Sequence, residues 1–143
     1  MREVRCCEVT HFHFLSYHFT MLKEILIVGC GGFIGTVGRY LLGRCTTAMW
    51  HGAFPLGTFA ANILGCFLIG LFFGLLEHTR TLSPQLSLLL ITGFCGGFTT
   101  FSTFAADLCR LGQKGDWLTA ALYLALTVTL GILSLLTARA LVK

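Results

Sequence analysis

The sequence predicts an all-α integral membrane protein of four transmembrane helices, on three observations. Of 143 residues, 55% are hydrophobic and only 11% are charged, against about 25% charged residues in soluble domains. The apolar residues gather into four runs, roughly Ile25 to Leu42, Pro55 to Leu76, Gln85 to Leu108 and Trp117 to Thr137. A helix of about 20 residues spans the hydrocarbon of a bilayer, so each run is long enough, the first only just. The stretches between them are short and polar, which makes neighbouring helices antiparallel and puts both termini on one side. The length allows one compact unit and no second domain of ordinary size.

Composition also excludes classes. The formal charge of +4 comes from basic residues scattered singly between apolar runs, so no patch for nucleic acid forms. The seven cysteines include no C-x-x-C pair, and Cys30, Cys66 and Cys95 lie inside apolar runs. A disulfide framework or zinc site does not fit that distribution, and the thiols read as small buried hydrophobes.

Residues 1–20 differ from the rest of the chain. They hold Arg2, Glu3, Arg5 and Glu8 and then a His-Phe-rich run from His11 to His18. They lack the clean apolar core and cleavage site of a signal peptide. His11, His13 and His18 suggest a metal only weakly. Met21 opens an ordinary membrane-protein start, so residues 1–20 are expected to be an extension from an upstream start that folds into nothing, and residues 21–143 the functional domain.

The first helix carries Gly31, Gly35 and Gly38 on a small-residue face suited to close helix contact, with Arg39 at the membrane edge. Its opening resembles a dinucleotide loop, but the glycine fingerprint fails at Ile34 and no acidic residue stands at ribose distance beyond it. The second helix begins at Pro55, where the missing N–H is harmless. It carries one amide, Asn62, with Thr58 one turn before and Gly65 nearly one turn after on the same face. That amide is either a donor to an anion or a hydrogen-bonding link between helices. A second small face runs through Gly70 and Gly74.

The third helix contains the stretch Ile91-Thr-Gly-Phe-Cys-Gly-Gly-Phe-Thr-Thr-Phe-Ser-Thr-Phe104, uncharged and rich in glycine and hydroxyls. Each of Gly93, Gly96 and Gly97 weakens a helix by about 1 kcal/mol relative to alanine. A break is therefore expected at Gly93–Gly97. Irregular backbone at membrane depth is tolerated only where it is buried in protein, lines a wet cavity or holds an ion. The stretch reads either as a broken helix at an ion site or as a tight helix crossing. Phe101 and Phe104 share a helix side, with Thr103 beside them and Ser102 turned away. In the fourth helix Tyr123, Thr127 and Gly131 recur every four residues, with Ser134 three further on, as a polar line; single hydroxyls there also bond their own helix readily.

From Met21, the terminal side carries Lys23, Arg80, Arg139 and Lys143, and the other side Arg39, Arg44, Arg110 and Lys114. Orientation is set by the excess of Lys and Arg, and here there is none. The balance predicts insertion in both orientations and an antiparallel dimer, unless local effects, residues 1–20 included, select one topology. No Asp, Glu, Lys or His lies deep in the four runs, with Arg39 and Asp107 at the ends. That disfavours a proton-coupled transporter and an intramembrane enzyme. Passive conduction by neutral donors is consistent with it.

The chain resembles the Fluc/CrcB family of small membrane fluoride channels over residues 21–143. The matching motifs are Gly31-Gly-Phe-Ile-Gly-Thr-Val-Gly-Arg39-Tyr40, Gly57-Thr-Phe-Ala-Ala-Asn62-Ile-Leu-Gly65 and Gly93-Phe-Cys-Gly-Gly-Phe-Thr-Thr-Phe-Ser-Thr-Phe104. The resemblance implies an antiparallel, dual-topology homodimer in the bacterial plasma (inner) membrane, with two pathways that export fluoride passively. It implies Asn62 as the pore amide and Phe101 and Phe104 as pore phenylalanines, whose positive ring edges face the anion. Thr103, Tyr123 and Thr127 would extend the polar path. Backbone carbonyls of Gly96 and Thr99 from both subunits would hold a structural sodium ion, with Arg39, Gly93 and Gly97 in structural roles and no catalytic residue. The chain departs from the common pattern at Ala61, Cys66 and Gly131. A small multidrug transporter would share the length and charge balance but needs a carboxylate in the first helix, and Ile25 to Leu42 has none. A non-transporting assembly protein would need no organised polar track.

Overall fold

The computed structural model describes residues 3–79 and 83–142. Arg80 and Lys143 of the charge count lie outside the described residues, as do the side chains of His11 and His13. The elements in order are α1 (Glu3–Met49), α2 (Leu56–Thr79), α3 (Pro84–Ser87), a π-helix (Leu88–Cys95), α4 (Gly96–Phe98), α5 (Phe101–Gln113) and α6 (Trp117–Leu141). They make four spans long and apolar enough to cross a membrane: His18–Met49, Leu56–Glu77, Pro84–Gln113 and Trp117–Leu141. The architecture is all-α and multi-pass, as the sequence predicts.

α1 is longer than its apolar run. Its 47 residues extend about 70 Å, more than twice the hydrocarbon thickness. Residues 3–20 are helical where no structure was expected. They contain neither glycine nor proline, so nothing in the backbone interrupts a helix already nucleated downstream. At the other end the helix runs past Gly43, where Thr46 Oγ1 donates to the Leu42 and Gly43 carbonyls and Thr47 Oγ1 to the Gly43 carbonyl.

The third span breaks, two residues later than expected. Gly93, Gly96 and Gly97 all lie within helical segments, and Gly96 has φ −63° and ψ −36°. The extended residues are instead Thr99 (φ −88°, ψ 158°) and Thr100 (φ −155°, ψ 124°). β-Branched side chains favour that region, and Thr100 caps α5 by accepting from the Thr103 N–H at 3.3 Å. The glycines serve contact instead. A Cβ on Gly31 would overlap the Leu89 carbonyl oxygen, one on Gly35 that of Phe94, and one on Gly97 that of Gly32. Backbone of α1 and of the π-helix therefore meet directly, in the manner of small-residue membrane interfaces.

α2 packs along α6 through a similar contact, with Gly70 against the Leu135 carbonyl and Ser134 Oγ donating to the Ile63 carbonyl at 3.2 Å. At the terminal end Arg139 grips Glu77 in bidentate fashion, Nη2 lying 2.7 and 2.8 Å from the two carboxylate oxygens. Both side chains are half exposed, so the pair contributes about 0–1 kcal/mol. At the opposite end the chain turns from α5 into α6 at Gly115, whose φ of +74° suits glycine. Asp116 then caps α6, accepting from the Thr119 N–H at 3.2 Å.

Candidate functional site

The break at Thr99–Thr100 is stapled from α2. Asn62 Oδ1 accepts from the Thr100 N–H at 3.0 Å, and Asn62 Nδ2 donates to the Thr100 carbonyl at 3.3 Å. One amide side chain thus meets both polar groups of the extended residue, as an adjacent strand would. This leaves the second Nδ2 hydrogen for another acceptor.

The staple changes what the preceding helix offers. In a continuous helix the Thr100 N–H would bond the Gly96 carbonyl, and the Thr103 N–H the Thr99 carbonyl. Here Asn62 takes the first donor and the Thr100 hydroxyl the second. The two carbonyls expected to face a cation, those of Gly96 and Thr99, are therefore among those that the break deprives of helical donors. Gly96 faces open space on the protomer surface. The Gly97 carbonyl is engaged differently, accepting from Arg39 Nε at 3.3 Å and Thr36 Oγ1 at 3.5 Å. Arg39 is thus tied by hydrogen bond to the strip of glycines.

On the far side of the break, the first turns of α5 carry the aromatic residues. Phe101 and Phe104 have ring centroids 5.9 Å apart, but their surroundings differ sharply. Phe104 is 6% exposed and Phe101 is 80% exposed. Phe104 lies 5.1 Å from the Tyr123 ring, and Phe54 stands edge-on to Tyr123 at 5.4 Å. Tyr123 is fully buried, and its hydroxyl makes no close hydrogen bond among the described residues. The hydroxyl lies toward Thr58 and Asp107. These two bond each other, Thr58 Oγ1 donating to Asp107 Oδ2 at 2.8 Å.

Asp107 is the buried charged residue among the described residues, at 5% exposure. Arg110 Nη1 approaches Asp107 Oδ1 to 3.2 Å from the solvent side. Beyond them opens a cavity of about 520 Å³ between the α1–α2 connection and α5. Thr100, Thr103 and Asp107 line it, together with Arg39, Arg44 and Lys114. The indole of Trp50 packs over Gly52 and that of Trp117 over Gly112, placing both tryptophans at this end as a membrane-interface belt would.

Asn62, Thr103, Phe101, Phe104 and Tyr123 therefore gather around the break. Thr127 sits one turn along α6, with its hydroxyl donating to the Tyr123 carbonyl at 2.6 Å, so the polar line is partly satisfied within its own helix. Sequence reasoning missed the Thr58–Asp107 pair and the capping role of Thr100. A signal was present: Thr100, Thr103 and Asp107 repeat at helical spacing, as do Thr58 and Asn62 on α2. Phe54 and Phe59, whose rings stand edge-on at 5.3 Å, carried no periodic signal because Phe54 precedes its helix. The π-helix was likewise invisible.

The model of the CrcB-like protein, Camphor Resistance (CrcB), family matches residues 26–139. A Chlorobaculum tepidum protein named "Fluoride-specific ion channel FluC" is 46% identical over 123 residues, covering 86% of this chain and 97% of the relative. Proteins of the same name from Flavobacterium psychrophilum and Rhizobium etli are 45% and 44% identical, covering 79% and 76% of this chain and 91% and 87% of the relatives. The matched span holds the Asn62 staple, the broken third helix and the aromatic cluster, and the chain belongs to the CrcB-like family.

Proposed function

We propose that this protein is a passive, fluoride-selective channel of the bacterial inner membrane that lowers cytoplasmic fluoride. Family membership supports the class of activity, and the relatives' names supply the ion. The structural observation that carries the reading is the buried Tyr123 hydroxyl, which lies beside Thr58 and Asp107 at the cavity and makes no close hydrogen bond among the described residues. Such groups are rare in folded proteins because leaving them unmet costs about 1–3 kcal/mol. Fluoride is a small, strong acceptor, and the remaining Asn62 amide hydrogen and the loosely held Tyr123 hydroxyl suit it. An ion leaving the cavity past Thr103 meets these donors between the rings of Phe104 and Phe101. Ring edges carry partial positive charge and do not titrate, so they replace hydration without trapping the anion.

The working unit is an antiparallel homodimer with two such paths. The protomer supports this through Phe101, a large aromatic exposed on the face that carries the break, and through the balance of loop charges. A sodium ion at the two-fold contact would be held by the Gly96 and Thr99 carbonyls of both subunits. Hard neutral oxygens suit sodium, and the ion would supply positive charge that joins the two breaks. Residues 1–20 are an extension outside this machinery.

Proteoliposomes loaded with fluoride test the activity. Opening a potassium shunt with valinomycin should release fluoride rapidly, while chloride-loaded vesicles stay sealed. Equal release of both ions, or no release, contradicts it.

A further inference from the structure

We infer that the cavity between the α1–α2 connection and α5 binds a phosphate-type oxyanion, which obstructs the path behind it. The inference rests on the reading of that cavity as the mouth of the path. Its lining brings together Arg39, Arg44, Arg110 and Lys114 against a single carboxylate, Asp107, a formal net charge of +3. The carboxylate is already committed, to Thr58 Oγ1 at 2.8 Å and Arg110 at 3.2 Å, so it does not neutralise the remaining cations. At about 520 Å³ the space far exceeds that of one halide. Arg44 and Lys114, with the unengaged nitrogens of Arg39 and Arg110, offer donors to the several oxygens of a tetrahedral dianion, which arginine forks recognise in pairs.

The same geometry stops such an ion from going further. Asp107 lines the cavity with Thr100 and Thr103, and its charge, offset by Arg110 at 3.2 Å, repels a dianion about twice as strongly as a monovalent ion. Behind it Phe104 and Tyr123 are packed ring to ring at 5.1 Å. A phosphate held by Arg44 and Lys114 would therefore sit across the mouth without entering. Fluoride, smaller and monovalent, passes the wall and is slowed by competition at the mouth. The phosphate of a lipid headgroup offers the same chemistry as free inorganic phosphate, and the cavity opens at the end that carries Trp50 and Trp117.

The test uses the full chain and inorganic phosphate. In a phosphorus-free detergent, phosphorus NMR of phosphate should show line broadening with added protein. The broadening should be lost in Arg44→Gln/Lys114→Gln, and phenylphosphonate, a bulkier dianion, should displace phosphate in the parent protein. This readout is independent of fluoride transport, so failure of the channel reading does not decide it. In proteoliposomes, phosphate exchanged for chloride at constant ionic strength should slow fluoride release severalfold, and the double variant should reduce that sensitivity at least about tenfold, equivalent to 1.4 kcal/mol. Slowing in vesicles of neutral lipid assigns the site to soluble oxyanion; slowing that requires phosphatidic acid assigns it to a headgroup. Phosphate lines that stay sharp with parent protein, or that broaden equally with the double variant, overturn the inference.

Discussion

Asn62 and Thr100 exchange two hydrogen bonds across 38 residues of chain, and this pairing sets where the third span breaks. It satisfies an extended residue at membrane depth, where water is absent and each unmet backbone group costs several kcal/mol. In the proposed path the same residue would contribute its remaining amide hydrogen, so that structure and conduction would converge on one side chain.

Asn62→Asp removes the donor to the Thr100 carbonyl and places a carboxylate against both that oxygen and the incoming anion. Fluoride flux should fall at least about tenfold, and the protein should lose about 1–3 kcal/mol of stability. Thermal unfolding measured beside flux checks both effects. Parent-like flux would show that the amide is only a helix link.

The glycines of α1 divide into two kinds. Gly31→Ala drives a methyl into the Leu89 carbonyl, whereas Gly29 has nothing near a Cβ. Backbone packed against backbone has little room to yield. Gly31→Ala should abolish monodisperse protein in gel filtration, and Gly29→Ala should elute like the parent.

Replacing sodium by N-methyl-D-glucamine should weaken the dimer and reduce fluoride flux, with recovery when sodium returns. The proposed cause is the pair of carbonyls at Gly96 and Thr99, whose helical donors are diverted by Asn62 and Thr100. Subunit exchange at an unchanged rate in both salts would count against a sodium site.

Dual insertion has its own readout. A single cysteine at Ser83, between the second and third spans, in a background without the native cysteines, should be labelled by an impermeant reagent to about half from each side of the membrane, as expected from the balanced loop charges. Labelling from one side only would assign a single topology.

Much of this architecture was legible in the sequence, because hydrophobic length reports membrane spans directly. The expectation of a break in the third span also held, but its position did not. Glycine propensity pointed to Gly93–Gly97, yet tertiary contact kept those residues helical: Gly97 packs on Gly32 and Gly93 on the Val28 carbonyl. Propensity is a local quantity, and here contact with α1 outweighs it. Asn62, Phe104 and Tyr123 were legible as polar or aromatic positions on helix faces. The Thr58–Asp107 bond was not read, since its partners lie 49 residues apart and helical spacing on each element does not show which faces meet. The unequal exposure of Phe101 and Phe104 was hidden for a related reason: three-residue spacing gives a shared side but not its depth.

That inequality supplies the most direct measurement. Phe101 is 80% exposed in the protomer, so Phe101→Ile leaves the protomer's packing nearly untouched while removing an aromatic ring edge from the path. The measurement is the initial rate of passive fluoride efflux from proteoliposomes holding equal amounts of dimeric parent and Phe101→Ile protein. The expected result is loss of most of the flux, at least about tenfold, with dimer elution unchanged. A dimeric Phe101→Ile protein that conducts fluoride at the parent rate would contradict the account.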